Sequence, residues 1–448
     1  MHTMRDVIIR IGSASLLASS LMLGLPGCGA SATASNATVQ EDTQATSTNV
    51  DTAATATSEA TSDASASLAS MRADGAINTA DLFTERDLAQ EADLAGATLI
   101  NVTSGEDVQI TNEGIYLISG EASDVTITVN ADDTAKVQLV LDGVHISNQD
   151  APAIYVVSAD KVFVTTTAGS ANALEVTGTF VADGDTNTDA VIFSKDDLVL
   201  NGLGSLTINS TDNGISCKDD LKITGGTYAI TASSDAIEAN DSIRIADGTF
   251  AINAAKDALH AENDEDDTLG YIYICGGTFD ITAGDDGIQA TTVLQIDDGS
   301  FTINAVEALE ATYVQVNNGS VNISASDDGI NATTKSSSIG TPTIEVTGGT
   351  IVITMGQGDT DAIDANGNIV VSGGSIDITA QSAFDYDGTA SFTGGTITVN
   401  GEQVSEITNS MMMGGMGGGP RGGMEGGPMG DMGGGQMGGP QGMGGQLA

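Results

Sequence analysis

Thr278-Phe279-Asp280-Ile281-Thr282-Ala283-Gly284-Asp285-Asp286-Gly287-Ile288-Gln289-Ala290-Thr291-Thr292-Val293-Leu294-Gln295-Ile296-Asp297-Asp298-Gly299-Ser300-Phe301-Thr302-Ile303-Asn304-Ala305 is the stretch that decides the fold. Apolar and polar residues alternate in it over about five positions at a time, with β-branched side chains in the runs and glycine at the joints; period two is the mark of a strand. The stretch also restarts. Phe279-Asp280-Ile281-Thr282-Ala283 returns as Phe301-Thr302-Ile303-Asn304-Ala305, 22 residues on.

The same unit extends in both directions. Asp235-Ala236-Ile237-Glu238-Ala239, Asp257-Ala258-Leu259-His260-Ala261, Asp286-Gly287-Ile288-Gln289-Ala290, Glu307-Ala308-Leu309-Glu310-Ala311, Asp328-Gly329-Ile330-Asn331-Ala332 and Asp361-Ala362-Ile363-Asp364-Ala365 align as one motif, most starts lying 21 or 22 residues apart. Longer gaps hold the polar insertions 263–268 and 335–341, which read as loops bulging from a turn. A Gly-Gly-Thr signal closes a second segment in many repeats (225–227, 276–278, 348–350, 394–396). Three short strands per repeat, at a fixed period, predict an all-β, right-handed, three-sided parallel β-helix (a solenoid) with Ile and Ala stacked inward. Antiparallel sandwiches need longer strands and keep no such period. Weaker strands at 114–120, 125–129, 137–146, 154–157 and 162–166 predict irregular early coils and a cap over the first open edge.

The flanks differ. Arg5 and Arg10, an apolar run from Ile11 to Leu25 and then Leu25-Pro26-Gly27-Cys28 read as a targeting segment; the ending resembles a bacterial lipobox, which implies cleavage before Cys28 and lipidation of its thiol. An ordinary signal peptide is the alternative. The expected organisation is a signal peptide over 1–27, a disordered Ser/Thr/Ala tether over 28–80, the β-helix over 81–410 and a disordered Gly/Met tail over 411–448. Attachment to a membrane would run through the lipid anchor alone, and the location would be extracellular. Cys217 and Cys275 fall at different points of the repeat, so a bond between them is not expected, and both read as structural.

With 61 acidic against 13 basic residues the net charge is -48, which excludes nucleic acid as a partner. Consecutive coils are neighbouring strands, so equivalent acids stack roughly 4.7 to 4.9 Å apart. Asp189, Asn213, Asp235, Asp257, Asp286, Glu307, Asp328 and Asp361 form one row; Glu238, Gln289, Glu310, Asn331, Asp364 and Asp385 form a second, three positions on. Two unit charges at that spacing repel by about 1 kcal/mol in water and roughly 3 to 4 at an effective dielectric of 20. Ca²⁺ between coils relieves this, since oxygen ligands at about 2.3 to 2.6 Å let one ion bridge such a gap. Oxygen donors without a His or Cys cluster favour Ca²⁺ over zinc or copper. The few basic residues nearby (Lys218, Lys222, Arg244, Lys256, Lys335) do not offer an alternative, and His260 reads as a solvated bystander. The other reading is that these aspartates cap turns by accepting backbone amides.

The Asp-(Ala/Gly)-Ile-x-Ala and Gly-Gly-Thr coil, between a lipobox and a Gly/Met tail, resembles the bacterial carbohydrate-binding domain-containing β-helix lipoproteins, a calcium-containing family with a pectate-lyase-like fold. The resemblance spans roughly 81–410. It implies several bound Ca²⁺ ions, affinity for acidic (pectic) or cellulosic polysaccharide, and metal ligands at Asp235, Glu238, Asp257, Asp286, Glu307, Glu310, Asp328, Asp361 and Asp364.

Three functions compete on the sequence. A non-catalytic binder would present bound calcium to uronates or vicinal hydroxyls; Tyr271, Tyr273, Tyr313 and Tyr386 are candidate sugar platforms, whereas Phe279 and Phe301 read as core. A polysaccharide lyase needs a base, and only Arg244 and Lys256 read as near the acids; no catalytic pattern is recognisable. The third function is a calcium-stiffened surface protein or adhesin.

Overall fold

The computed structural model describes residues 77–358 and 360–410; the signal segment, Cys28, most of the tether and the Gly/Met tail lie outside them. From Thr98 to Val404 the chain is a stack of strands, parallel except for the last, Glu402–Val404, which turns back antiparallel on Thr396–Val399. Each regular coil supplies three strands. In one, Asn213–Cys217 lies on the first face, Asp220–Ile223 on the second and Thr227–Ala232 on the third. The next coil repeats them as Ile237–Ala239, Ser242–Ile245 and Thr249–Ala254, in register. The first face holds 12 strands. The other two are joined into one 24-stranded sheet at the N-terminal end, where Gly114–Ser123 and Lys136–Asn148 each turn the corner within a single strand. The parallel β-helix expected from the period is therefore the fold, and its early coils are the irregular ones.

Side chains alternate across the backbone, so every second residue enters the core. Ile215, Ile237, Leu259, Ile288, Leu309, Ile330 and Ile363 form one inward ladder, all at 0% exposure. On the third face Phe250, Phe279 and Phe301 stack with centroids 4.6 and 4.5 Å apart and planes within 4°, a spacing set by the coil repeat. The turn before this stack needs glycine. Gly299 has φ +133°, and a Cβ there would meet the Phe301 ring at 2.8 Å.

One element is not foreseen by the strand pattern. Residues 77–94 form a strap along the outside of the second face, running from later coils to earlier ones. Ile77 N–H donates to Gln295 Oε1 at 2.7 Å; Ile77 and Leu82 pack with Tyr271, Tyr273, Tyr313 and Ile339. Gln90 Nε2 donates to the Thr224 carbonyl at 2.9 Å, and Gly202 N–H donates to Gln90 Oε1 at 3.0 Å. At its centre Asp87, wholly buried, lies 3.3 Å from Lys222 Nζ and 3.8 Å from Lys161 Nζ. The strap begins at Ile77, inside the stretch expected to be tether. Beneath it the second face is buried on both sides, which explains why strands such as Asp220–Ile223 show no exposed residue, whereas the later Asn368–Val371 alternates.

The two polar insertions leave the same corner, between first and second faces, and meet each other. The Ser336 and Ser338 hydroxyls both donate to the Asp267 carbonyl, at 2.5 Å. Ile339 then joins the cluster under the strap.

Candidate metal centre

The opening acids sit where the chain enters the first face. Four members of the row use one oxygen to accept the amide of the counterpart in the next coil: Asp235 N–H to Asn213 Oδ1 and Asp257 N–H to Asp235 Oδ1 at 3.0 Å, Asp286 N–H to Asp257 Oδ1 at 2.8 Å, and Asp361 N–H to Asp328 Oδ1 at 3.2 Å. Capping is thus real at these four positions, and it fixes the side chains while leaving the second carboxylate oxygen of Asp235, Asp257 and Asp328. The polar row three positions on runs Ser216, Glu238, His260, Gln289, Glu310, Asn331, Asp364 and Asp385, paired coil to coil on the first face.

Two groups of expected ligands converge. Asp286, Glu307 and Glu310 place one oxygen each within 4.8 Å of one another, and Asp235 and Asp257 do the same with His260. Glu238 is drawn away to Lys218 Nζ and Asn213 Nδ2, each at 2.9 Å. Asp328 and Asp361 stack in register and Asp364 pairs with Asn331, without the three acids forming such a group among the described residues; Asp361 Oδ1 accepts the Ser382 hydroxyl. A further cluster, Asp197, Asp219 and Asp220, lies at the next corner. Its signal was the repeated Lys-Asp-Asp-Leu at 195–198 and 218–221. It is partly neutralised, by Lys161 3.4 Å from Asp197 and by Arg244 on Asp220.

Crowded, half-dehydrated carboxylates hold their protons. Asp286 is pushed up to about 9, first by burial and then by Asp257, Glu310 and Glu307. Burial also leads in raising Asp328 to about 7, with Asp364 and Glu307 behind it, and Asp364 to about 6, with Asp385 and Asp361 behind it. Burial raises Glu307 too, against the Asn331 hydrogen bond.

Basic side chains do enter the ladder, contrary to the expectation drawn from how few there are. Lys335 Nζ lies 2.7 Å from Glu310 Oε2, reaching in from the start of an insertion that reads as an outward bulge. Lys218 reaches the next coil at Glu238. His260 is no bystander: Nδ1 is 2.9 Å from Asp257 Oδ2 and 4.0 Å from Asp235 Oδ2. Burial lowers its proton affinity, but Asp257, Asp235 and Glu262 outweigh it and the net shift is upward. Arg244, conversely, lies on the second face, stacked beside Lys222. Tyr271, Tyr273 and Tyr313 are buried beneath the strap and its loops and offer no platform.

The Asp286/Glu307/Glu310 group fits a hard divalent cation. All donors are oxygens. Asn331 Nδ2 donates to Glu307 Oε2 at 2.8 Å and lies 3.4 Å from Glu310 Oε1, while its own Oδ1 is buried without a partner. Turning this amide over, an assignment the network sets, adds a fourth oxygen facing the group.

A family model described as "Carbohydrate-binding domain-containing protein" matches residues 104–362 and 310–415. A protein of that description from Acetivibrio thermocellus is 44% identical over 204 residues, 45% of this chain and 71% of the relative. Among solved structures, a polysaccharide lyase-like protein from C. thermocellum, as a gadolinium derivative, aligns over 68% of this chain and 95% of its own at 24% identity, with a TM-score of 0.38.

Proposed function

The chain belongs to the family of carbohydrate-binding domain-containing proteins, and from that premise we propose that it is an extracellular, lipid-anchored, calcium-dependent binder of acidic (pectic) or cellulosic polysaccharide that does not cut its ligand. The observation that carries the calcium part is the Asp286/Glu307/Glu310 group: three carboxylates converge within the reach of one ion, and the single basic side chain on them among the described residues, Lys335, contacts Glu310 Oε2 and leaves Asp286 and Glu307 to a divalent cation. Glu307 and Glu310 would hold the ion from one coil and Asp286 from the coil before. Bound Ca²⁺ supplies coordination positions that a uronate carboxylate or vicinal hydroxyls complete. The residues themselves keep the group rigid: Asp257 Oδ1 accepts the Asp286 amide, and Gln289 Nε2 donates to Glu310 Oε2 at 2.8 Å. The rest of the acidic surface repels polyanions that arrive without calcium.

Binding without cleavage is supported by the position of Arg244, paired with Asp220 on another face and so remote in role from the acids it would have to serve as a base. Lys256 is the remaining candidate; it is exposed beside Asp257. Electrophoresis of the full chain through gels containing polygalacturonate or hydroxyethyl cellulose tests the proposal. Retardation by one of them in Ca²⁺ but not in chelator, lost in Glu307→Gln/Glu310→Gln, is expected. Equal mobility in all gels, or release of shortened or unsaturated sugars, would overturn it.

A further inference from the structure

We propose that the ladder is chemically divided, and that Asp235, Asp257 and His260 form a separate site for a borderline transition metal of the Zn²⁺ class, distinct from the all-oxygen site at Asp286, Glu307 and Glu310. Three observations carry this. Asp235 Oδ2, Asp257 Oδ2 and His260 Nδ1 converge within the reach of one ion. Nδ1 is buried and makes no aligned hydrogen bond, although Asp257 Oδ2 is 2.9 Å away. The third is the orientation of the ring. His260 Nε2 lies 3.2 Å from Glu262 Oε2, which aims Nδ1 at Asp257 Oδ2 and Asp235 Oδ2, 2.9 and 4.0 Å away.

The supports of the three donors point the same way. Metal-bound histidines donate their other N–H to a carboxylate or carbonyl, and metal-bound carboxylates are themselves hydrogen-bonded. Glu262 does this for His260. The amides of Asp257 and Asp286 do it for Asp235 and Asp257 through their Oδ1 atoms, at 3.0 and 2.8 Å. Donors at about 2.0 to 2.2 Å from zinc lie a little over 3 Å apart in a tetrahedron. The observed 2.9 and 4.0 Å reach that with side-chain movements under about 1 Å. An imidazole nitrogen in place of an oxygen turns the preference from Ca²⁺ toward Zn²⁺, Co²⁺ or Cu²⁺.

This site does not rest on the calcium-dependent glycan reading, and the test separates the two. The chelator-stripped full chain, held in excess Ca²⁺, is titrated with Zn²⁺ by calorimetry and with Co²⁺ by visible absorbance, which reports nitrogen in the coordination sphere. One tight Zn²⁺ site is expected. Its affinity should fall at least tenfold in His260→Gln, by about 10- to 100-fold in Glu262→Ala, and stay unchanged in Glu310→Gln. His260→Gln keeps the side chain's bulk, and circular dichroism verifies its fold; if it does not fold, Glu262→Ala, altered only at an exposed carboxylate, decides. Tight zinc binding that is indifferent to both variants, or Ca²⁺ displacing Zn²⁺ at equal concentration, would overturn the proposal. A protonated His260 that merely bridges two aspartates would take up no Zn²⁺, and would overturn it as well.

Discussion

Replacing Asp364 by asparagine separates the two states of the acid ladder. The preceding coil already carries Asn331 at the same place in the row, so the substitution preserves shape and removes only charge. Without metal, burial first and then Asp385, Asp361 and Asp387 hold the Asp364 carboxyl up at about 6. The folded chain therefore prefers the protonated form. The stability this group contributes is complete below about pH 4 and is lost as the pH rises through about 6. A displacement of roughly two units corresponds to near 3 kcal/mol for a wholly buried group; the side chain is only half-buried, and solvent screening brings this to about 1 kcal/mol. Asp364→Asn should thus be more stable than the natural chain by about 1 kcal/mol at pH 8 in chelator, and equal to it at pH 4. The order should stay the same with Ca²⁺ at pH 8, because Asp364 belongs to no convergent group of carboxylates among the described residues. Urea midpoints followed by circular dichroism at the two pH values, with and without chelator, measure all of this. A variant less stable than the natural chain at pH 8 in chelator would refute the reasoning.

Three other substitutions or treatments probe the frame that holds the ladder. Phe279→Ala opens a hole between two stacked rings and should cost about 3 to 5 kcal/mol in urea unfolding. Asp87→Ala removes the buried carboxylate between Lys161 and Lys222; a loss of about 3 kcal/mol and trypsin cleavage at Arg86 are expected, while Lys161 retains Asp197. Cys217 is buried, and burial raises its thiol well above the ordinary range, so a thiol reagent should label it only after denaturation.

Much of this architecture was legible because a solenoid writes its geometry into its period. The motif starts at Asp235, Asp257, Asp286, Glu307, Asp328 and Asp361 became register partners, and the inward Ile and Phe ladders followed from alternation alone. Contacts outside the period were not legible. The strap is held by Ile77, Asp87 and Gln90, isolated residues in a stretch that alternates with nothing, and its partners lie up to 218 positions away. The same limit hid the role of Lys335, since a loop's direction does not follow from its composition. His260 was missed for another reason: it occupies a row of oxygens, and a lone histidine gives no signal until Glu262 and two aspartates from successive coils are seen around it. The aspartates themselves were read as either caps or ligands, whereas a carboxylate has two oxygens and the fold uses one of them for each capping bond.

The most direct test of the central claim is a calorimetric titration of the chelator-stripped chain with Ca²⁺ at pH 7. Saturable uptake that Glu307→Gln/Glu310→Gln removes is the predicted result; no uptake would contradict the account and leave the acid rows as turn caps alone.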